Sequence, residues 1–156
     1  MKQEHRLVAE IYRFIAPFID TTKDVYLSLD GQAARTAVTA GRFADPDIPD
    51  LWFTLVGATE PMRIEAKVIE DNGGALLMRS QLAAWRSNGV GSYKPKYWVA
   101  TNRSFNEFYF WSHQEFLSSL DKSTATANTL TLRPPKTKLV FGSVPQLALH
   151  ILRKAE

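Results

Sequence analysis

The sequence of 156 residues contains no cysteine. This absence excludes disulfide bonds, thiolate metal sites and cysteine nucleophiles. The chain also lacks a hydrophobic run near the roughly 20 residues that a membrane-spanning helix needs. Charged residues interrupt the first nineteen positions, where a signal peptide needs an apolar stretch. We therefore expect a cytoplasmic protein with no membrane partner.

Several motifs of catalysis and cofactor binding are missing as well. The chain has no GxSxG nucleophile elbow, no GxGxxG fingerprint and no P-loop lysine after its glycine-rich stretch. The histidines lie far apart in the sequence and lack metal-ligand spacing, so we expect surface or capping positions for them. They are His5, His113 and His150.

What is present is the composition of one globular domain, residues 1–156. Hydrophobic residues make up 45% of the chain and aromatic residues 12%. A chain of this length can bury on the order of 68–70% of the surface that it exposes when unfolded. The formal net charge of +3 permits an anionic partner without demanding one, because the placement of charge matters more than its sum.

The alternation of apolar and polar residues predicts a core over about residues 3–121. A first helix covers about 3–16 and is ended by Pro17. Three strands follow, the last two of them as a hairpin, then a helix closed by Asn88-Gly89 and two further strands. The predicted ranges of these later elements are 25–29, 51–56, 62–69, 76–87, 97–101 and 107–111.

A C-terminal extension, about residues 122–156, completes the chain. Before it, Ser112 caps a helix over 113–120, with Glu115 at the capping-box position. The extension itself contains two predicted strands and a helix with Pro145 in its first turn. The order of elements, αβββαββα followed by a β-containing tail, favours the α/β class, with a mixed β-sheet flanked by helices. The elements of the extension cover 130–132, 139–141 and 144–153.

The predicted hairpin brings together two carboxylates and an amine. Asp50 opens one strand, and Glu65 and Lys67 project from the same face of its neighbour because they are two residues apart. Carboxylate oxygens hold Mg²⁺, which can polarise a phosphate and stabilise the charge that develops on it. An ammonium group beside the metal can orient or deprotonate the attacking water. The spacing therefore indicates phosphodiester hydrolysis.

Pro49-Asp50, then Glu65-Ala66-Lys67, then Gln81 in the following helix resemble the motifs of the PD-(D/E)XK nuclease superfamily. The resemblance covers roughly residues 3–111. It implies a restriction-endonuclease-like fold and an endonuclease that depends on Mg²⁺ or Mn²⁺.

The resemblance also implies a role for each matching position. Asp50 and Glu65 would bind the metal together with the backbone carbonyl of Ala66, and Lys67 would assist the nucleophilic water. Gln81 would orient groups of the active site. Helices before the first strand in this family often carry a further acidic residue, and helical phase favours Glu4 over Glu10 for it.

A run of basic residues follows the motif. Between Met78 and Arg103 there is no Asp or Glu, which predicts a track for the phosphates of a nucleic acid. Tyr93 is the candidate for stacking on a base. The tryptophans lie on predicted elements, so core or partial burial is expected for them rather than base stacking. The basic residues of the track are Arg79, Arg86, Lys94, Lys96 and Arg103.

Three classes of function stay open from the sequence. We expect a nuclease acting on DNA, and cleavage of both strands of a duplex would require a homodimer. The alternative is a noncatalytic nucleic-acid-binding or assembly protein that uses the same fold as a scaffold. A small-molecule-binding α/β protein is the third, and it would not bind DNA even at low salt.

Overall fold

The structure is a computed structural model that describes residues 3–28, 49–71, 73–78, 94–118 and 129–155. Its helices are α1 (Gln3–Ile15), which continues into a 3₁₀ turn (Ala16–Phe18), α2 (His113–Ser118) and α3 (Val144–Lys154). Among the described residues, no helix is both long and apolar enough to span a membrane.

Six strands of the described residues form one mixed sheet. Its spatial order is β1-β2-β3-β5-β6-β8, in which β3 and β5 run parallel and every other neighbouring pair is antiparallel. Two further strands, β4 and β7, pair separately. The strand bounds are β1 Tyr26–Leu27, β2 Leu51–Phe53, β3 Met62–Ile69, β4 Ala75–Met78, β5 Tyr97–Asn102, β6 Phe108–Ser112, β7 Thr129–Leu132 and β8 Leu139–Phe141.

The two faces of the six-stranded sheet carry different layers. Side chains alternate between the faces of a strand, so each face has its own hydrophobic cluster. On the first face, Leu51, Ile64 and Phe110 pack in one cluster with the apolar stripes of α1 and α3. On the second face, Trp98 and Trp111 pack with α2 and with residues of β4 and β7. The α/β class with a mixed sheet between helices is thus as expected.

Local sequence signals account for the residues at which α2 and α3 begin. Ser112 and Glu115 form the expected capping box of α2: the Glu115 carboxylate accepts from Ser112 N at 2.7 Å, and Ser112 Oγ accepts from Glu115 N at 3.1 Å. α3 begins after Ser143, whose side chain accepts a hydrogen bond from Gln146 N, and Pro145 lies in its first turn.

The strand predicted at 62–69 and its hairpin with the preceding strand are confirmed. The helix predicted at 76–87 is wrong at its start, because Ala75–Met78 is a strand paired with β7. A tight turn, in which Glu70 N donates to Gly74 O at 2.8 Å, directs the chain into this pairing. The pairing outweighs the helix propensity of Ala-Leu-Leu-Met. Residues 79–93 lie outside the described residues.

Candidate metal and substrate site

The carboxylate of Asp50 lies against the middle of β3. Asp50 immediately precedes β2, and its Oδ2 accepts a hydrogen bond from the backbone N–H of Ala66 at 2.8 Å. Its backbone is held as well, because Ser28 N donates to Asp50 O at 2.7 Å. Since Leu51 pairs with Ile64, the antiparallel register puts Asp50 beside Glu65.

Glu65 is a buried carboxyl group on β3, with 3% of its surface exposed. It shares the second face of the sheet with Lys67, as the spacing predicts. Burial raises the pKa of Glu65 well above its usual range, and the adjacent charge of Asp50 and a hydrogen bond between the two side chains raise it further. The two carboxyl groups therefore lie close enough that ionising both is unfavourable.

Two further charges act on Glu65. The ammonium group of Lys67 favours the ionised carboxylate and lowers the pKa of Glu65, whereas the charge of Glu4 raises it. Glu4 belongs to the first turn of α1, and its neighbour Gln3 is tied to the end of β5 by a hydrogen bond from Nε2 to Arg103 O at 3.0 Å. The helix end thus brings a third carboxylate within electrostatic range of the pair.

The carboxyl oxygens of Asp50 and Glu65 are donors of the kind that bind a hard divalent cation. No group of three His, Asp or Glu side chains that could hold a metal ion is found within the described ranges. The PD-(D/E)XK resemblance implies that the Asp50 and Glu65 carboxylates and the backbone carbonyl of Ala66 would hold such a cation. Oxygen donors of this kind suit Mg²⁺ and Mn²⁺, and a divalent charge would relieve the repulsion between the two carboxyl groups.

The described residues of the expected phosphate track are separated by β5. Lys94 and Lys96 precede the strand and Arg103 follows it, so about 20 Å of extended chain lies between them. Arg103 is paired with the carboxylate of Glu70. Gln81, Arg79, Arg86 and Tyr93, the other predicted site residues, lie outside the described residues.

Three side chains without a role in the sequence analysis lie on the same face as Asp50 and Glu65. The register aligns Tyr26 with Trp52 and Trp52 with Arg63 across β1, β2 and β3. All three are half-buried. The alternation of apolar and polar residues around Asp50 and Glu65 already places Trp52 and Arg63 on that face, and this signal could have found them.

His113 does not take the surface position expected for it. It is buried, with 7% of its surface exposed, and Trp98 Nε1 donates a hydrogen bond to its Nδ1 at 3.0 Å. Its ring is also nearly parallel to the Trp98 ring, with an angle of 4° between the two planes. His113 is thus a core histidine because a strand end and the start of α2 coincide at this position, which the sequence spacing of histidines does not reveal. Trp98 and Trp111 are buried as expected.

No protein-family model, curated protein or solved structure matches this chain.

Proposed function

We propose that this protein is a divalent-metal-dependent nuclease that hydrolyses phosphodiester bonds of DNA. The observation that carries the proposal is the buried Glu65 carboxyl, hydrogen-bonded to Asp50 and within electrostatic range of Lys67. Burying acidic groups together is unfavourable unless a cation compensates them, so such a group is more readily explained by a function than by stability. The PD-(D/E)XK resemblance assigns the same three residues to metal binding and catalysis.

The element order supports a restriction-endonuclease-like core as part of this proposal. α1 is followed by the antiparallel strands β1, β2 and β3, and β5 then lies parallel to β3. The described elements match the first helix, the three strands and the last strand of the αβββαβ order that the resemblance implies, and the helix before the last strand would fall in residues 79–93, outside the described residues. The two acidic positions fall at the start of β2 and in the middle of β3, where the motif requires them.

Each residue has a defined task in the proposed reaction. Asp50, Glu65 and the Ala66 carbonyl would hold Mg²⁺ or Mn²⁺, which supplies Lewis-acid stabilisation of the phosphate when bound. Asp50 is kept in place by the N–H of Ala66. The Lys67 ammonium, on the same strand face as Glu65, would orient the attacking water and offset the charge that develops on the phosphate oxygens.

The test is cleavage by the purified protein of plasmid, single-stranded DNA, RNA and branched duplex, with Mg²⁺ or Mn²⁺ against EDTA. Lys67→Ala is compared with Lys138→Ala, a matched change at another half-buried lysine, which lies over the Tyr109 ring of β6, two strands away from Lys67 in the sheet. We expect metal-dependent cleavage in the wild type and in Lys138→Ala, and a loss of about 100-fold or more in Lys67→Ala.

The two other outcomes argue against the proposal in different ways. Cleavage that survives Lys67→Ala would mean that the activity comes from a contaminant or from another site. Tight, salt-sensitive DNA binding without cleavage would favour the noncatalytic scaffold instead.

A further inference from the structure

We infer that the groove between α1 and the start of α3 binds a short acidic peptide segment of a partner protein, with one apolar side chain of that segment in the groove. The groove has a volume of about 390 Å³, within the range of about 300–1,000 Å³ in which ligand sites fall. It belongs to the helix layer on the first face of the sheet, whereas Glu65 and Lys67 lie on the second face. A peptide in this groove would therefore leave the proposed nuclease site accessible.

The wall that α1 contributes to the groove carries a net positive charge. Arg6, Glu10 and Arg13 are spaced four and three residues apart, so all three line the groove from one side of the helix. The Arg6 guanidinium and the Glu10 carboxylate are 4.0 Å apart and partly exposed, which makes this ion pair weak. Arg13 is exposed, and across the ranges that the structure describes it makes no hydrogen bond, ion pair or ring contact. The Arg13 guanidinium is thus available to a carboxylate of a ligand.

Phe105 lines the groove at a cost in backbone strain. Its φ is 55°, in the left-handed region, which bulky side chains rarely adopt and which glycine adopts without strain. The ring packs edge-on against Phe108, with 5.0 Å between the ring centroids, and its own centroid lies 3.8 Å from the Arg6 guanidinium. A guanidinium stacked on a ring keeps its in-plane N–H donors for a carboxylate. Phe105 therefore gives the groove both an apolar surface and an oriented cation, and residues strained in this way cluster at ligand-binding sites.

The first turn of α3 forms the opposite wall. Ser143 caps this helix, and its Oγ accepts from Gln146 N over a long 3.4 Å. The N–H groups at a helix N-terminus favour an anionic group nearby, so this end adds to the charge of the two arginines. Val144 and Pro145 line the groove beside the cap and make the rest of the wall apolar, and Phe14 of α1 adds a ring that is 46% exposed. The groove thus combines apolar surface with positive charge from both helices.

These features fit an acidic peptide better than a nucleic acid. The two guanidinium groups select a ligand with negative charge, and the phenylalanine rings select an apolar side chain. The Glu10 carboxylate, between the two arginines in the sequence, needs a hydrogen-bond donor, which a peptide backbone supplies through its N–H groups. The phosphodiester backbone of DNA has no such donor, and the charge of Glu10 would repel it. The charge pattern therefore favours a peptide with carboxylates on either side of an apolar residue.

The experiment titrates the isotope-labelled protein with synthetic peptides and follows its backbone amide signals by NMR. The probes are Glu-Glu-X-Glu-Glu peptides with Leu, Phe or Trp at X, the same peptides with Gln in place of Glu, and Glu-Glu-Ala-Glu-Glu. We expect at least one acidic peptide with an apolar centre to shift the amide signals of Phe105, Ser143 and Val144 saturably. The Gln peptides and the Ala peptide should bind at least roughly 10-fold more weakly, because each lacks one of the two kinds of contact.

Matched variants assign the binding to the groove. Arg13→Gln should weaken binding of the acidic peptide roughly 10-fold, whereas Arg153→Gln, at an exposed arginine of α3 outside the groove, should not weaken it. Phe14→Ala should weaken binding of the peptide with an apolar centre but not that of the Ala peptide. Phe18→Ala, which removes a ring of similar exposure, should change neither. All four side chains are exposed, so we expect the variants to fold, and their amide spectra verify this.

Three results would overturn the groove as a peptide site. They are the absence of saturable shifts at the groove, equal binding of the Glu and Gln peptides, and equal losses in Arg13→Gln and Arg153→Gln. A single-stranded oligodeoxynucleotide is the nucleic-acid probe, and saturable shifts of the same amides with this probe alone would also overturn the peptide. Cleavage of DNA, present or absent, changes none of these outcomes, so failure of the groove and failure of the nuclease are distinguishable.

Discussion

Asp50 and Ala66 join the beginning of β2 to the middle of β3 through a side chain. The Asp50 carboxylate accepts the Ala66 N–H at 2.8 Å, and residue 66 separates Glu65 from Lys67. One bond therefore ties the acidic residue of the first strand to the Glu-Ala-Lys segment of the second. A carboxylate restrained in this way stays beside Glu65 whether or not a cation is bound.

Glu65→Gln should make the protein more stable and inactive. The substitution keeps the shape of the side chain and removes a buried charge beside Asp50. In metal-free, mildly alkaline buffer we expect the free energy of unfolding to rise by about 1 kcal/mol. The corresponding increase in Tm is about 2–4 °C for a chain of this length. Urea unfolding and a cleavage assay measure the two effects.

The matched control for this substitution is Glu10→Gln. Glu10 is a partly exposed residue of α1, four positions from Arg6 and 4.0 Å from its guanidinium. Losing this pair should lower stability by no more than about 0.5 kcal/mol. A clear loss of stability in Glu65→Gln would show that groups of the protein already compensate the Glu65 charge, and that no cation is needed there.

Binding of Mg²⁺ or Mn²⁺ should stabilise the wild type, and EDTA should reverse the effect. At a metal concentration about 100 times Kd, the gain is about 2.7 kcal/mol. Asp50→Asn and Glu65→Gln should lose most of this gain, because each removes a charged ligand. Lys67→Ala should retain it, since an ammonium group is not a ligand. Thermal unfolding with and without metal makes the comparison, and equal shifts in all four proteins would place the metal elsewhere.

The sequence predicts the pairing of β2 with β3 and the strand face on which the charged residues of β3 lie, because both follow from a local pattern. Alternation over residues 62–69 determines which face Glu65 and Lys67 share. By contrast, Ala75–Met78 is a strand only because β7, more than fifty residues later, pairs with it. His113 is buried because it lies against Trp98, which comes fifteen residues earlier in the chain and donates a hydrogen bond to it. Such contacts between distant segments have no local signal.

The capping box of α2 should matter more to stability than the cap of α3. Ser112 and Glu115 exchange two hydrogen bonds, and Thr137 Oγ1 donates to Glu115 Oε1 at 2.6 Å, which links the helix to the turn before β8. Ser143 Oγ accepts one longer bond, from Gln146 N at 3.4 Å. We expect Ser112→Ala to cost about 1 kcal/mol and Ser143→Ala about half as much. Urea unfolding of the two variants provides the comparison, and the reverse order would contradict it.

His113 should make the protein less stable as the pH drops from about 6.5 to about 4, whereas Glu65, whose pKa is raised in the folded protein, acts in the opposite direction above its ordinary value of 4.5. Burial, together with the positive charges of Lys94 and Arg63, lowers the pKa of His113 to about 4 from the ordinary value of 6.5. Between these values the unfolded chain binds a proton that the folded chain does not, so the stabilisation is complete above 6.5 and is lost on acidification. Protonation of Nδ1 would also remove the acceptor for Trp98 Nε1.

The expected loss from His113 is about 2 kcal/mol once partial solvent screening is taken into account. Urea unfolding across this pH range should show a smaller loss of stability on acidification in His113→Gln, whose amide oxygen can accept from Trp98 and does not titrate. Some dependence should remain, because burial and the charges of Lys154 and Arg153 also lower the pKa of His150. An unchanged pH dependence in His113→Gln would contradict this prediction, because it would mean that the pKa of His113 is the same in the folded and the unfolded chain.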